Sequence, residues 1–292
     1  MFGGEYILIV ICTKCLLSCF LFYIWPLRRN SPDPDYGSSS RSLNLMEKVS
    51  KPIPKATHSE DMYSIPIDAF FKSAFSVDCV IFGYHQGDLK VLLIQRGAEP
   101  YENFWALPGD LVYPHEDLDT AAYRVLHDLT SIDDVGMKQV QTFGAVNRHP
   151  LGRVITIGYM ALVELTDIHP VASHWAKQTK WHSLSKLPKL AFDHREILDA
   201  SFERLKTLIA EEPIWTRVIP DKFTITEFQD VFETILGRKF DKGNFRKKIQ
   251  HVKFLKKLTE TQQNVRHRPS QLYAFDAKLF EKYRDRGFVF DF

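Results

Sequence analysis

The residues best suited to chemistry lie in one stretch of this chain. Leu107-Pro108-Gly109-Asp110 is followed by Glu116, and then by a helix-patterned run carrying Arg124 and Asp128. Carboxylates gathered on one helix can hold a divalent cation. Magnesium takes oxygen ligands in octahedral geometry, usually one or two carboxylates plus the phosphates of a substrate. A cation so held stabilises a leaving phosphate and activates water. Beside Arg124 and Asp128, however, stand Val125 and Leu129, which can do neither. Glu116 and Asp128 could keep a weak ion with help from a ligand, so metal binding stays open while turnover is not expected.

The elements that must position these residues follow from pattern. Leu118, Ala121, Ala122, Val125, Leu126 and Leu129 recur at helical spacing and form one apolar face, with Asp117 or Asp119 as the helix cap. On that pattern alone the segment is a helix packed on a sheet. Upstream, residues 77–94 give two β-rich runs split by Gln86-Gly87-Asp88, a hairpin-like turn, and Gln95-Arg96-Gly97 follows. Downstream, residues 139–148 and 153–163 read as strands, the second rich in β-branched and aromatic residues. The polar turn 147–153 joins them, and Lys180 to Ser183 looks like a last strand. A helix then opens near Asp193 and runs to about Ala210. Asp193 and Glu196 have capping-box spacing, while His194 is either a ligand contact or a helix-start residue.

The order of a strand ending in Arg96, then Phe104 to Gly109, then the helix resembles the Nudix hydrolases. Their motif is G-x5-E-x7-R-E-U-x-E-E-x-G-U, with U aliphatic. Aligned on Leu107-Pro108-Gly109, the frame survives in Glu116, Arg124, Leu126 and Ile132. Of the three helical glutamates, one is Val125, one Asp128 and one Leu129. The resemblance implies an α+β fold, with a Nudix-like α/β/α sandwich built on a mixed sheet. It also implies a box without its catalytic or metal-ligating set, so an enzyme is not expected.

The chain has 292 residues, 45% hydrophobic and 25% charged, ordinary values for a globular protein. A prior of ~150 residues per domain suggests two domains. From Pro213 onward 17 Lys and Arg stand against 10 Asp and Glu, whereas the preceding part carries 21 against 26. A mildly acidic body with a basic tail suggests a nucleic-acid partner for the tail. Residues 6–25 form an apolar run long enough to span a bilayer, interrupted by Lys14 and followed by Arg28-Arg29. An over-extended start is favoured over an anchor, with Met46 and Met62 as plausible starts and 31–42 as linker. Cys12, Cys15 and Cys19 lie inside that run and Cys79 in a strand, a usage that fits a cytoplasmic body without disulfides.

The basic tail has its own pattern. Residues 223–237 read as a helix with a Thr224/Glu227 capping box, a terminal Gly237, and an apolar face of Phe228, Val231, Phe232 and Ile235. Asp241 would cap a second helix, 242–249, with Phe245 and Ile249 inward and Asn244, Arg246, Lys247 and Lys248 outward. Two short helices with a tight glycine-containing link resemble a helix-turn-helix. Residues 254–258 and 271–275 then look like strands flanking Arg266-His267-Arg268-Pro269, which would be a wing.

A damaged Nudix box followed by this winged helix, with Phe192-Asp193-His194 and Leu272-Tyr273-x-Phe275, resembles the Nudix-related transcriptional regulators of bacteria. The likeness covers residue 73 to about 283. It implies residues 1–72 outside the fold, 73–212 as an effector-binding domain and 213–292 as a DNA-binding domain. It further implies an effector that is a pentose sugar or ADP-ribose-like, a homodimer, and palindromic operator DNA. The expected effector wall is Arg96, Phe104, Trp105, Glu116, Arg124, Arg148 and His194, because arginines pair with phosphate and aromatic faces stack on sugar or base. Arg124 has an alternative role in an ion pair with Glu116 or Asp128. Asn244 and Arg246 are placed nearest the bases, with Lys247, Lys248, Arg266 and Arg268 on the DNA backbone.

Two other readings compete: an active Nudix pyrophosphatase acting on ADP-ribose, and a membrane-tethered binding protein. If residues 1–44 are no part of the working fold, a chain starting at Met46 or Met62 is soluble and dimeric and binds its ligands. Size-exclusion chromatography checks this, and a truncated chain that is insoluble while the full chain is rescued by detergent favours the anchor.

Overall fold

In the computed structural model, residues 72–133, 135–263 and 268–291 are described. The apolar run 6–25, the linker, the alternative starts and Arg266 lie outside them. Among the described residues, no helix is long and apolar enough to cross a membrane.

The first part of the chain runs β1 (Ala74–His85), β2 (Asp88–Arg96), β3 (Trp105–Ala106), β4 (Gly109–Leu111), α1 (Leu118–Thr130), β5 (Lys138–Phe143), β6 (Val154–Glu164), β7 (Ala176–Ser183) and α2 (His194–Glu211). Seven strands form one mixed sheet in the order β3-β2-β1-β6-β5, with β4 added to β1 and β7 to β2. β1 and β6 are parallel and the other pairs antiparallel. Successive side chains of a strand point to opposite faces, and β1 shows the consequence. Val77, Cys79 and Ile81 join the core under α1, whose Ala121, Ala122, Val125, Leu126 and Leu129 are all buried. Val80, Phe82 and Tyr84 join the opposite core with Ile197, Leu205 and Leu208 of α2. This is the expected α/β/α sandwich.

The registers also explain where the sheet opens. β1 pairs with β2 only through residues 82–85, and with β4 through Ser76, Val77 and Asp78. β2 meanwhile passes on to pair with β3 at Ile94 and Gln95. β1 has therefore left β2 before Asp78 and pairs there with β4, and side chains from several elements converge beside it.

Two local expectations fail for one shared reason. The strand expected over 139–148 stops at Phe143, and residues 144–153 turn back through Arg148 N–H to Ala145 C=O and Gly152 N–H to His149 C=O. The capping box at Asp193 does not form: Asp193 stands at the N-cap but makes no side-chain cap bond. Its carboxylate instead accepts Arg148 Nε at 2.8 Å and Nη2 at 2.7 Å. A bidentate, charge-assisted pair outcompetes one backbone cap bond. At α1, by contrast, Asp117 caps the helix through Thr120 N–H, and Asp119 accepts the Tyr159 hydroxyl.

After a 3-10 turn (Pro213–Arg217) come β8 (Lys222–Thr224), α3 (Ile225–Leu236), α4 (Lys242–Gln250), β9 (Leu255–Thr261), β10 (Gln271–Phe275) and α5 (Ala277–Arg284). The second sheet runs β8-β10-β9, antiparallel throughout. The Thr224/Glu227 capping box is present and Gly237 ends α3 at φ 68°. Neither β8 nor α5 was expected from sequence. Trp215 is wholly buried and meets Phe223, Phe228 and Phe275 edge-on. Through it and Leu205, Leu208 and Ile209, one apolar cluster runs unbroken from the first sheet into the winged helix.

Ser131, which ends α1 in the left-handed conformation at φ 55°, stands where the Nudix motif has glycine. A non-glycine residue there is strained, and its cap bond comes from the backbone, which glycine keeps. Ser131→Gly therefore raises stability by about 0.5–1 kcal/mol after the larger unfolded-state entropy of glycine is subtracted. Thermal unfolding of the two proteins measures this, and a lower melting point for the variant contradicts it.

Candidate functional site

Beside Asp78, where β1 has left β2 and pairs with β4, a cavity of about 520 Å³ opens. At its base is Asp78, 4% exposed in a strand of apolar neighbours. Isolated burial of a carboxylate is costly, and this one is surrounded by partners. Thr156 Oγ1 donates to Asp78 Oδ2 at 2.7 Å, and Ser76 Oγ in turn donates to Thr156. Arg148 Nη2 lies 3.7 Å from the same oxygen while that guanidinium grips Asp193. Gly109 is required on the other side, since a Cβ there would sit 1.9 Å from Asp78 Oδ1.

His194, the first residue of α2, has a fixed tautomer. Its Nδ1 accepts the Leu107 N–H at 2.9 Å, so the proton resides on Nε2, 3.4 Å from Asp78 Oδ1. Burial lowers its pKa and the nearby carboxylates only partly oppose this, which leaves a neutral ring at pH 7. His194 thus both starts a helix and faces the cavity. Arg96 ends β2 with its guanidinium 4.9 Å from the ring centres of both Trp175 and Phe192. Its Nε donates to Pro100 C=O, and burial lowers its pKa. Phe192 stacks on His149 at 5.0 Å, and Trp175 Nε1 donates to Asp110. The lining thus combines four cationic side chains (Lys72, Arg96, Arg148, Arg153), three carboxylates (Asp78, Glu99, Asp110) and two aromatic walls.

Of the seven residues expected as effector wall, Arg96, Arg148 and His194 meet in this cavity, and the other four do not. Phe104 packs edge-on against Tyr101, which itself packs on Phe192, one ring removed from the cavity. Trp105 turns toward His182, 4.5 Å between ring centres, because its position in β3 aims the indole into the core beside α2. Glu116 and Arg124 pair with each other: Arg124 Nη2 and Nε donate at 2.6 and 2.8 Å, and Glu116 also accepts the Tyr113 N–H. The Arg124 guanidinium lies 3.9 Å over the Tyr113 ring, and Asp128 stands 3.7 Å away. Hydrogen bonding from Arg124 holds the Glu116 carboxyl down at about 2. Val125 and Leu129 are buried in the core under α1.

Sequence reasoning passed over Asp78, Asp110, His149, Trp175 and Phe192 as cavity residues. One signal was available for Asp78, a lone charge inside the apolar run Val77-Asp78-Cys79-Val80-Ile81. Trp175 carried none, since it reaches the site from the loop before β7 only after folding.

The second candidate surface is α4. Phe245 and Ile249 are buried, while Asn244, Arg246, Lys247 and Lys248 are exposed, as the pattern predicted. Asp241 caps the helix through Asn244 N–H. Lys248 Nζ donates to the Asp291 carbonyl, so it is partly engaged by the C-terminal segment. Arg268, between β9 and β10, is exposed.

Two family models match the chain: the NUDIX domain over residues 72–201 and the NrtR DNA-binding winged helix domain over 216–275. The ADPR responsive transcriptional repressor NtrR of Acinetobacter baylyi is 34% identical over 204 residues, 68% of this chain and 81% of the relative. The chain belongs to the NrtR family of Nudix-related transcriptional regulators. Shewanella oneidensis NrtR, crystallised with a 27mer DNA, superposes with TM-score 0.57 at 27% identity, covering 74% of this chain and 97% of that one. An ADP-ribose pyrophosphatase of Methanocaldococcus jannaschii is 30% identical over 129 residues, 44% of this chain and 73% of the relative. The NrtR family likeness therefore spans both halves, while this hydrolase likeness spans 129 residues.

The Glu116–Arg124 pair gives a pH signature. Glu116 titrates near its usual 4.5 when unfolded and at about 2 when folded. Its contribution is present above pH 4.5 and lost as pH falls toward 2. Glu116→Gln should lower the melting temperature at pH 7, with the gap to the wild type closing below pH 4.5. A gap of constant size across that window refutes the assignment.

Proposed function

We propose that this chain is a cytoplasmic repressor that senses an ADP-ribose-like nucleotide through residues 73–212 and binds operator DNA through residues 213–292. The observation that carries the reading is the cavity at Asp78. Its volume suits a small-molecule ligand. Arg96, Arg148 and His194 would meet a diphosphate and its neighbouring hydroxyls, Asp110 and Glu99 would accept from ribose, and Trp175 with the His149–Phe192 stack offers flat walls to a ring. The name of the Acinetobacter relative points to the same ligand class.

On the DNA side, Asn244 and Arg246 read base edges, while Lys247, Lys248, Arg266 and Arg268 neutralise phosphates. The chain acts as a homodimer on a palindrome, and effector binding changes the affinity for that operator. By reciprocity, operator binding changes effector affinity by the same factor.

The second reading, a pyrophosphatase, draws support from the Methanocaldococcus relative. Against it stands the chemistry of α1: Val125 and Leu129 are core residues with no oxygen to offer, and the Glu116 carboxylate is already neutralised by Arg124. We therefore expect negligible Mg-dependent cleavage of ADP-ribose.

A thermal-shift series with ADP-ribose, ribose 5-phosphate and free pentoses tests the sensor. A ligand at roughly 100 times its Kd stabilises the folded state by about 2.7 kcal/mol. ADP-ribose is expected to shift the unfolding curve, free pentoses less, and the same ligand to alter gel-shift affinity for a sequence-selected duplex. Robust turnover of ADP-ribose by the unmodified chain, or ligand binding without any effect on DNA, overturns the proposal.

A further inference from the structure

The connection between α3 and α4 is held by buried charge. Residues 238–240 have no regular structure, so their main-chain groups must be satisfied by side chains or water. Glu233, on α3 and 7% exposed, accepts the Phe240 N–H at 2.8 Å. Gln229, one turn earlier and 6% exposed, donates to Glu233 at 2.8 Å and to the Phe240 carbonyl at 3.1 Å. Lys239 Nζ completes the set on the other Glu233 oxygen at 2.6 Å. Burial pushes the Glu233 carboxyl up, and these donors outweigh it, leaving the group below its ordinary value. Both main-chain groups of Phe240 are thus gripped by α3, and its ring stacks on Phe245 of α4 at 5.6 Å. The next residue, Asp241, is the cap of α4.

The apolar face of α3 already packs with Phe228, Val231, Phe232 and Ile235, so an apolar residue at 233 would serve packing alone. A buried carboxylate costs more than it returns unless its geometry is close to ideal. What this one adds is a single defined position for residue 240.

We propose that Glu233, with Gln229, is a positioning residue for operator recognition: by clamping the Phe240 main chain it sets the direction in which α4 leaves α3. The inference rests on the DNA-binding reading above. Hydrogen bonds to base edges fail once donor and acceptor drift past about 3.5 Å, so a small tilt of a nine-residue helix disables Asn244 and Arg246. Phosphate contacts from long, flexible lysines tolerate the same tilt. Loss of the clamp therefore removes discrimination between sequences and leaves general DNA affinity intact.

The test uses the full chain, a duplex enriched from a random pool by the wild-type protein, and a scrambled duplex of equal length. Glu233→Ala should lower affinity for the enriched duplex by at least roughly tenfold, about the value of one good base contact. Affinity for the scrambled duplex, and the slope of log affinity against log salt, should stay at wild-type values. Glu233→Gln keeps an oxygen for the Phe240 N–H and should retain selectivity within roughly threefold, a rescue not expected of a site that needs only charge. Gln229→Met, which keeps volume and leaves the Glu233–Phe240 bond, provides a gentler variant should the alanine protein fail to fold, and should lose selectivity in the same direction. If the alanine and methionine proteins discriminate as the wild type does, or if both duplexes weaken in parallel, the positioning role is refuted. If the wild type itself enriches no sequence, the DNA-binding reading fails first.

Discussion

Placing a carboxyl group inside a strand that is otherwise apolar dictates much of what surrounds it. Asp78 stands between Val77 and Cys79, and isolated it would cost several kcal/mol. Each neighbour reflects that cost. Gly109 has no side chain because Asp78 occupies the place of its Cβ. Thr156 turns its hydroxyl inward from the parallel strand, and Ser76 supports it. Arg148 is pulled from the loop after β5, which ends that strand early and diverts Asp193 from capping α2. His194 is held neutral, with one nitrogen on a backbone N–H and the other toward Asp78. The cavity lies beside this polar cluster, walled by the loops that supply Arg148, Trp175 and Phe192.

Two positions of α1 where the Nudix motif has glutamate carry core residues in this chain. In a Nudix hydrolase that helix presents carboxylates; here Val125 and Leu129 bury their side chains against Cys79 and Ile81. Glu116 and Arg124 remain, but as a closed pair under Tyr113, tying the loop after β4 to the middle of the helix. Both also hold main chain, Glu116 accepting the Tyr113 N–H and Arg124 donating to the Leu111 C=O, so the pair fixes backbone here. Ser131 keeps the left-handed turn of the motif glycine at a steric cost, consistent with a turn set by tertiary packing.

What could be read from sequence was what depends on period and local chemistry. The hairpin of β1 and β2, the apolar stripe of α1, the Thr224/Glu227 capping box and the inward Phe245 and Ile249 all follow from spacing and turn chemistry, and all were found as expected. What failed depended on partners distant in sequence. Asp193 has the local spacing of a cap, and only Arg148, 45 positions away, explains why it does not act as one. Trp105 looked like a stacking surface because its neighbours in the motif line a cleft, yet its side of β3 faces the core. β8 is three residues long and exists only because β10 offers it an edge. Trp175 and Phe192 reach Arg96 from separate loops, an arrangement that no window of sequence contains.

Regulation requires that the cavity and α4 share a structural element with more than one arrangement, and that a ligand favour one of them. The fold supplies a stiff connection between the two. α2 begins at the Asp193–Arg148 pair and runs without break to Glu211, where Pro213 opens the turn carrying Trp215. Along the way Ala210 C=O accepts the Phe290 N–H from beyond the winged helix. Arg217 reaches back to Val135 C=O behind α1, and Lys138 pairs with Glu212. Close-packed cores transmit strain instead of absorbing it, so movement at the start of α2 need not be dissipated in a loose linker. A ligand that drew Arg148 toward its phosphates would alter the Arg148–Asp193 contact at that helix start. The energy available for coupling is bounded by how differently Arg148 and its carboxylates are satisfied with and without the ligand.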